Sequence, residues 1–136
     1  MDIEADKNVT FFRFEDLRVY HKSLDYVTWV YSKMNKFPDN GNISLSRRFI
    51  DTAQSISFHI AEGSARNKSQ FIYFLKMAKS SVRECVVHTT LASREKYLTV
   101  TETEESRGFL EELTRMLGAL IGSLQRSSSM NEYDND

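Results

Sequence analysis

The chain has 136 residues, a length suited to one domain around one core. Apolar residues make up 40% and charged residues 27%, which excludes a disordered composition. Eighteen Lys/Arg nearly balance nineteen Asp/Glu, so total charge selects neither nucleic acid nor membrane as a partner. One cysteine, Cys85, cannot form an internal disulfide and fits a reducing compartment. No apolar run reaches the length of a membrane span. The acidic start, Met1 to Asp6, lacks the basic-then-apolar order of a secretory signal. The expectation is a cytoplasmic protein.

The charge is uneven along the chain. Residues 40–98 carry nine Lys/Arg against four Asp/Glu, and residues 99–136 carry three against eight. A basic middle and an acidic end can steer a polyanion to one face or pair identical subunits head to tail.

Four helical patterns account for most of the length. The first spans about Phe14 to Lys36, with Glu15 and Asp16 in its first turn, where the helix dipole favours negative charge. Leu17, Tyr20, Leu24, Val27, Tyr31 and Met34 alternate steps of three and four and predict its buried stripe. Phe37-Pro38-Asp39-Asn40-Gly41 ends it. The second spans about Ile43 to Glu62, capped by Asn42 or Ser44, with Phe49, Ala53, Ile56 and Ile60 inward. Gly63 is expected to close it in the left-handed conformation. The third opens at Asn67, with Gln70 three residues on, and runs to about Tyr97. Phe71, Leu75, Ala78, Val82, Cys85, Thr89 and Ala92 form its seam. The fourth opens on Thr101-Glu102-Thr103-Glu104, a capping-box pattern, and buries Leu110, Leu113, Leu117, Leu120 and Leu124. Strand signals are weak. The predicted fold is all-α, an antiparallel up-down-up-down four-helix bundle over residues 12–126. Residues 1–11 form a flexible tail and 127–136 a polar one.

With that stripe as the inner face of the first helix, Tyr26 and Trp29 fall outward, flanked by Val30. On the third helix Ile72 and Val86 lie beside the seam. Aromatics are enriched at interface cores, so Tyr26, Trp29, Val30, Ile72 and Val86 are the expected oligomer interface.

Candidate chemistry is sparse. Cys85 on a seam reads as a core thiol, with no positioned base. His59/Glu62 and Glu84/His88 miss the Glu-x-x-His arrangement of di-iron bundles, so no metal or other cofactor is expected. No nucleophile elbow or glycine-rich phosphate loop is present. No enzymatic activity is expected, with a bundle metalloenzyme as a distant third class. The basic residues carry more. Lys76, Lys79 and Arg83 share one flank of the third helix and Arg94 continues the row. Arg66 and Lys68 stand in the corner before it, and Arg47 and Arg48 begin the second helix. A solvated charged face is the ordinary role of such residues; a phosphate-contacting strip is the functional one.

Several segments together resemble one family. They are Phe14-Glu15-Asp16-Leu17-Arg18-Val19-Tyr20, then Phe37-Pro38, then Ser55-Ile56 through Ile60-Ala61-Glu62-Gly63 with Arg66 after it. Phe71, Phe74-Leu75, Ala78, Ser81 and Glu84 follow, and Met116-Leu117 through Leu124 matches a final helix. Over about residues 12–126 the chain resembles the four helix bundle protein family, also called the 23S ribosomal RNA intervening-sequence protein family. The resemblance implies an antiparallel bundle that assembles as a homopentameric ring, with no established enzymatic activity. Family genes occur in insertions within ribosomal RNA genes. A related branch serves as the accessory protein of diversity-generating retroelements, a basic nucleic-acid-binding partner of a reverse transcriptase. Here His59 stands where the family usually has Asn, and Asp51 where Arg is frequent. The functional expectation is an oligomeric adaptor that contacts RNA, or a nucleoprotein such as a reverse transcriptase, through Arg47, Arg48, Arg66, Lys68, Lys76, Lys79 and Arg83. The alternative is a structural module in which those charges pair with Glu102, Glu104, Glu105, Glu111 and Glu112 of a neighbouring copy.

Overall fold

The computed structural model describes residues 10–38 and 43–135. Four α-helices follow in order: α1 (Arg18–Lys33), α2 (Ile43–Ser64), α3 (Lys68–Arg94) and α4 (Val100–Asn135). Short 3-10 turns at Arg13–Asp16 and Met34–Lys36 flank α1. Among the described residues there is no strand.

Local chemistry sets the helix ends, and several differ from the expected ones. The start at Phe14 is a separate 3-10 turn, because Leu17 is extended (φ −83°, ψ 126°) and interrupts the helix. Phe14 folds edge-on against Tyr20, ring centroids 4.9 Å apart, and His21 Nε2 donates to the Glu15 carbonyl at 2.7 Å. At α3, the Asn67 side chain accepts from the Gln70 amide at 2.9 Å, the expected cap. Its other end comes at Arg94. Lys96 takes a positive φ of 65°; its amide donates to Ser93 O and the Tyr97 amide to Ala92 O, which closes a Schellman motif. The capping box of α4 is Thr99/Glu102, two residues before the expected pair. Thr99 Oγ1 accepts from the Glu102 amide at 3.0 Å, and Glu102 Oε1 accepts from the Thr99 amide at 2.9 Å. The backbone of α4 continues helically through Asn135, into the stretch set apart as a polar tail. The Asn42 cap, the Ser44 side chain and residues 1–9 of the N-terminal tail lie outside the described residues.

Gly63 corrects a conformational expectation. It has no positive φ and lies inside α2. A Cβ there would stand 2.6 Å from Phe74 Cβ and 3.0 Å from Phe71 Cδ1. The glycine is needed because α3 crosses α2 closely at this corner, not to reverse the chain.

The core follows the expected stripes on three helices, except that Phe71, Leu120 and Leu124 are half-buried and Ile121 of α4 is buried instead. Phe49, Ala53, Ile56 and Ile60 of α2 are buried, as are Leu75, Ala78, Val82, Cys85, Thr89 and Ala92 of α3. Leu110, Leu113 and Leu117 of α4 meet them. The first helix is rotated relative to its predicted stripe. Val19, Ser23, Tyr26, Val27 and Val30 are its buried residues, while Leu24 and Tyr31 are exposed. Hydroxyl pairing lets this more polar row turn inward. Ser23 Oγ meets Ser57 Oγ at 2.8 Å, and the Tyr26 hydroxyl meets Ser106 Oγ at 2.7 Å. Ser106 Oγ lies 2.8 Å from Thr89 Oγ1, which donates to the Cys85 carbonyl at 2.8 Å. Each buried hydroxyl thus has a partner, which removes the desolvation cost of placing it there.

Cross-helix partners run in opposite numerical senses along each neighbouring pair. Ser46 meets Met34 and Ser57 meets Ser23 between α2 and α1 or its flanking turn. Thr52 meets His88, and Ser55 meets Ser81, between α2 and α3. Thr89 meets Ser106, and Lys68 meets Ser127, between α3 and α4. Lys36 meets Glu102, and Lys22 meets Glu112, between the α1 region and α4.

Candidate nucleic-acid interface

The seven cations expected to contact phosphate fall into three groups. Arg47 and Arg48 are exposed on the first turns of α2. Arg48 shares a hollow of about 390 Å³ with Asp51, Thr52, Glu84, Val87 and His88, so two carboxylates offset its field. Arg66 is exposed at the α2–α3 corner, but its guanidinium pairs with Glu62 and lies 5.3 Å from the Phe74 ring centroid. Lys68 is half-buried and donates to Ser127 Oγ at 2.6 Å.

The third group differs. Lys76, Lys79 and Arg83 lie on one flank of α3 at steps of three and four, and Arg94 falls on the same flank. None of the four forms an ion pair among the described residues. Lys76, Arg83 and Arg94 are exposed and Lys79 is half-buried. At ~1.5 Å rise per residue the row extends over ~27 Å. Exposed Tyr73, Val87 and Leu91 border it. The structure therefore brings together one row of free cations on α3, with Arg66 and Lys68 engaged at the corner and Arg47 and Arg48 apart on α2.

Burial corrects two members of the expected oligomer interface. Tyr26 and Val30 have no exposed surface and belong to the bundle's own core. Trp29 is half-buried: it stacks on Tyr26 at 6.0 Å, packs against Phe109, and donates from Nε1 to Glu105 Oε1 at 3.0 Å. Ile72 and Val86 are half-buried and pack against the core. The physical reason is the rotation of α1, which turns the Tyr26 row inward. That rotation leaves a different apolar face, between α1 and α2, which the sequence reading did not single out. Phe14, Tyr20, Leu24, Val27, Tyr31, Phe58 and Ala61 line a hollow of about 290 Å³ there.

Two adjoining hollows follow the α2–α3 groove; the second, of about 470 Å³, is lined by Asp51, Thr52, Ser55, His59, Met77, Ser80, Ser81 and Glu84. His88 Nε2 lies 3.3 Å from Thr52 Oγ1, its ring rests on Phe49, and its Nδ1 is buried without a partner. Burial lowers the pKa of His88, with Arg48 adding to that and Glu84 opposing it. Burial likewise lowers that of His59, against Glu84. Among the described residues no three His, Cys, Asp or Glu side chains are placed to share a metal ion. Cys85 is fully buried, and burial, then the nearby Glu84 charge, push its thiol well above the ordinary range. It is a core thiol, because a nucleophile needs the thiolate.

The model of the 23S rRNA-intervening sequence protein family matches residues 15–119. The chain belongs to this family. A solved structure similar to it is the 1.70 Å crystal structure of a protein of unknown function, from the S23 ribosomal protein family, of Bacteroides thetaiotaomicron. The two share 23% sequence identity with a TM-score of 0.69, over 76% of this chain and 95% of the other. At that identity the likeness shows the fold alone. No curated protein matches the chain. Within the intervening-sequence family segment, the stretch Ile60-Ala61-Glu62-Gly63 with Arg66 is a packing device: Gly63 admits Phe74, and Glu62 holds Arg66 over the Phe74 ring. No helix among the described residues is long and apolar enough to cross a membrane.

Proposed function

We propose that this chain is a non-catalytic adaptor, an up-down-up-down bundle that self-associates and contacts RNA or a nucleoprotein through phosphate. The single observation that carries the reading is the row Lys76, Lys79, Arg83 and Arg94, four cations on one flank of α3 with no ion pair among the described residues. Keeping such a row unpaired costs self-repulsion, which a polyanion relieves. The family's link to 23S rRNA supports RNA as that polyanion. The opposite-running contact registers support the up-down course of the helices. A pentameric ring, a cytoplasmic site of action and a reverse transcriptase as nucleoprotein partner belong to this proposal through the family resemblance. Arg66 and Lys68 are secondary contacts, since Glu62 and Ser127 already hold them, and Arg47 and Arg48 stand apart from the row at the start of α2.

A second reading, a protein-interaction module without nucleic acid, draws on the exposed Tyr73, Val87 and Leu91 beside the row. Of the acids suggested as partners in a neighbouring copy, Glu102 is held by Lys33 and Lys36, Glu105 by Trp29 and Glu112 by Lys22. Glu104 and Glu111 are exposed and free of ion pairs among the described residues.

The deciding experiment is binding of a structured RNA as a function of salt. Four phosphate contacts give a plot of log affinity against log salt with a slope of about −3 to −4, and Arg83→Gln reduces its magnitude by about one. No binding at low ionic strength leaves the protein-interaction reading.

A further inference from the structure

The outward side of α3 carries more than its cations. Tyr73, Lys76, Arg83, Val87, Leu91 and Arg94 fall on one stripe along the helix, at steps of three, four or seven, opposite the buried seam. All six are exposed. From Tyr73 to Arg94 the stripe runs for ~32 Å. Tyr73 is 60% exposed, Val87 56% and Leu91 45%, so large apolar side chains are interleaved with the cations. The Tyr73 ring meets Phe74 edge to face with centroids 5.7 Å apart, and Phe74 in turn carries the Arg66 guanidinium 5.3 Å from its own centroid. Tyr73 is thus braced from one side and open on the other. Glu84 is the one carboxylate on α3, and no cation of the stripe has an ion pair among the described residues.

We infer, resting on the phosphate-contacting reading above, that this stripe takes RNA in single-stranded form, with phosphates on Lys76, Arg83 and Arg94 and an unpaired base stacked on Tyr73. Two observations select a single strand over a duplex. The first is the interleaving. An A-form duplex presents phosphates, 2′-hydroxyls and base edges, while its base faces stay hidden in the stack. Against that surface Tyr73, Val87 and Leu91 lose water and gain no apolar partner. A single strand offers both surfaces at once, charge along its backbone and flat faces on its bases. The second is the spacing of ring and charge. Tyr73 and Lys76 are neighbours one turn apart on the helix surface, so a base on the ring brings its own phosphate within reach of the ammonium. Because every base has a face to stack, such a contact selects unpaired RNA without selecting its sequence. Lys79 flanks the stripe and supplies a fourth phosphate contact.

The test is fluorescence anisotropy of the full chain with a labelled oligouridine long enough to span the stripe, and with the same strand paired to oligoadenosine. The expected result at low salt is that the single strand binds about tenfold more tightly than the duplex. Its log–log salt slope is about −3, as four contacts to a single strand give. Tyr73→Ser should weaken the single strand about tenfold and leave the duplex unchanged, while Tyr73→Phe keeps wild-type binding. Arg83→Gln should weaken both. These positions are exposed, and helical circular dichroism confirms that each variant folds. A duplex bound as tightly as the single strand, or a single strand indifferent to Tyr73→Ser, overturns Tyr73 as a base platform and leaves the phosphate-contacting row standing. Absence of binding to either form overturns both and leaves the protein-interaction reading.

Discussion

Gly63 shows how one side chain, or its lack, fixes a contact between helices. It sits in the last turn of α2, where the Phe74 Cβ would stand 2.6 Å from any added methyl group. Phe74 Cβ is fixed directly to the α3 backbone, so it cannot swing aside. Gly63→Ala therefore has to push α3 away from α2. The intrinsic helix propensity of Ala favours the substitution by up to ~1 kcal/mol, and overpacking opposes it by about 1–3 kcal/mol. The second effect wins, because the clash is with a Cβ and not with the end of a flexible chain. Urea unfolding of Gly63→Ala should show a net loss of about 1–2 kcal/mol at unchanged m-value. Equal or greater stability would mean that the corner opens without cost. The sequence marked this residue correctly as a corner but gave the wrong reason. A glycine at a helix end suggests a left-handed turn, and only the neighbouring helix reveals a close approach.

At the scale of the element, the junction into α4 depends on a two-way cap. Glu102 accepts the Thr99 amide and an ammonium hydrogen of Lys36, and lies 3.7 Å from Lys33 Nζ. These contacts, led by the hydrogen bond from Lys36, hold its carboxyl at about 2, below its usual range near 4.5. A carboxylate whose folded pKa is depressed adds stability above its unfolded pKa and loses it as pH falls through the folded one. The contribution is therefore complete at neutral pH and disappears between about 4.5 and 2. Glu102→Gln, which keeps the reach-back cap but removes the charge facing Lys33 and Lys36, should lower neutral-pH stability by about 0.5–1 kcal/mol and flatten the acid limb below pH 4.5. An acid limb unchanged by the substitution would show that the contacts of Glu102 contribute nothing net. Helix existence and most of the core were legible here because Leu110, Leu113 and Leu117 repeat cleanly. The rotation of α1 was not. Two apolar rows compete on that helix, and the greasier one, Leu24 and Tyr31, is the exposed one. The winning row carries Ser23 and Tyr26, whose burial depends on hydroxyl partners at Ser57 and Ser106, far along the chain. Periodicity cannot see such pairs, and the error placed Tyr26 and Val30 on the outside when they belong to the core.

At the scale of the molecule, the four helices carry distinct surfaces: an apolar α1–α2 face, a free cationic row on α3, and a titratable groove between α2 and α3. The cationic row was legible as a spacing, because helix geometry alone puts Lys76, Lys79 and Arg83 together. Which other cations are already engaged was not, since Arg66–Glu62 and Lys68–Ser127 are tertiary facts. The groove sets the molecule's response to mild acid. His88 packs on Phe49 with a buried, unpartnered Nδ1, beside Arg48 and Asp51 of α2 and Glu84 of its own helix; His59 lies farther along. Burial lowers both histidine pKa values below 6.5, against the pull of Glu84. As pH falls through 6.5 the unfolded chain takes up protons before the folded one does. Stability from these groups is thus complete above 6.5 and declines as pH drops toward the folded values. The wild type should then unfold at lower urea at pH 5.5 than at pH 7.5. His88→Gln, which keeps a polar side chain that cannot charge, should remove part of that difference, with His59 supplying the remainder. A wild type equally stable at both pH values would show that Glu84 fully compensates the burial of both rings. This window lies above that of Glu102, so one acid titration separates the α2–α3 groove from the α4 cap.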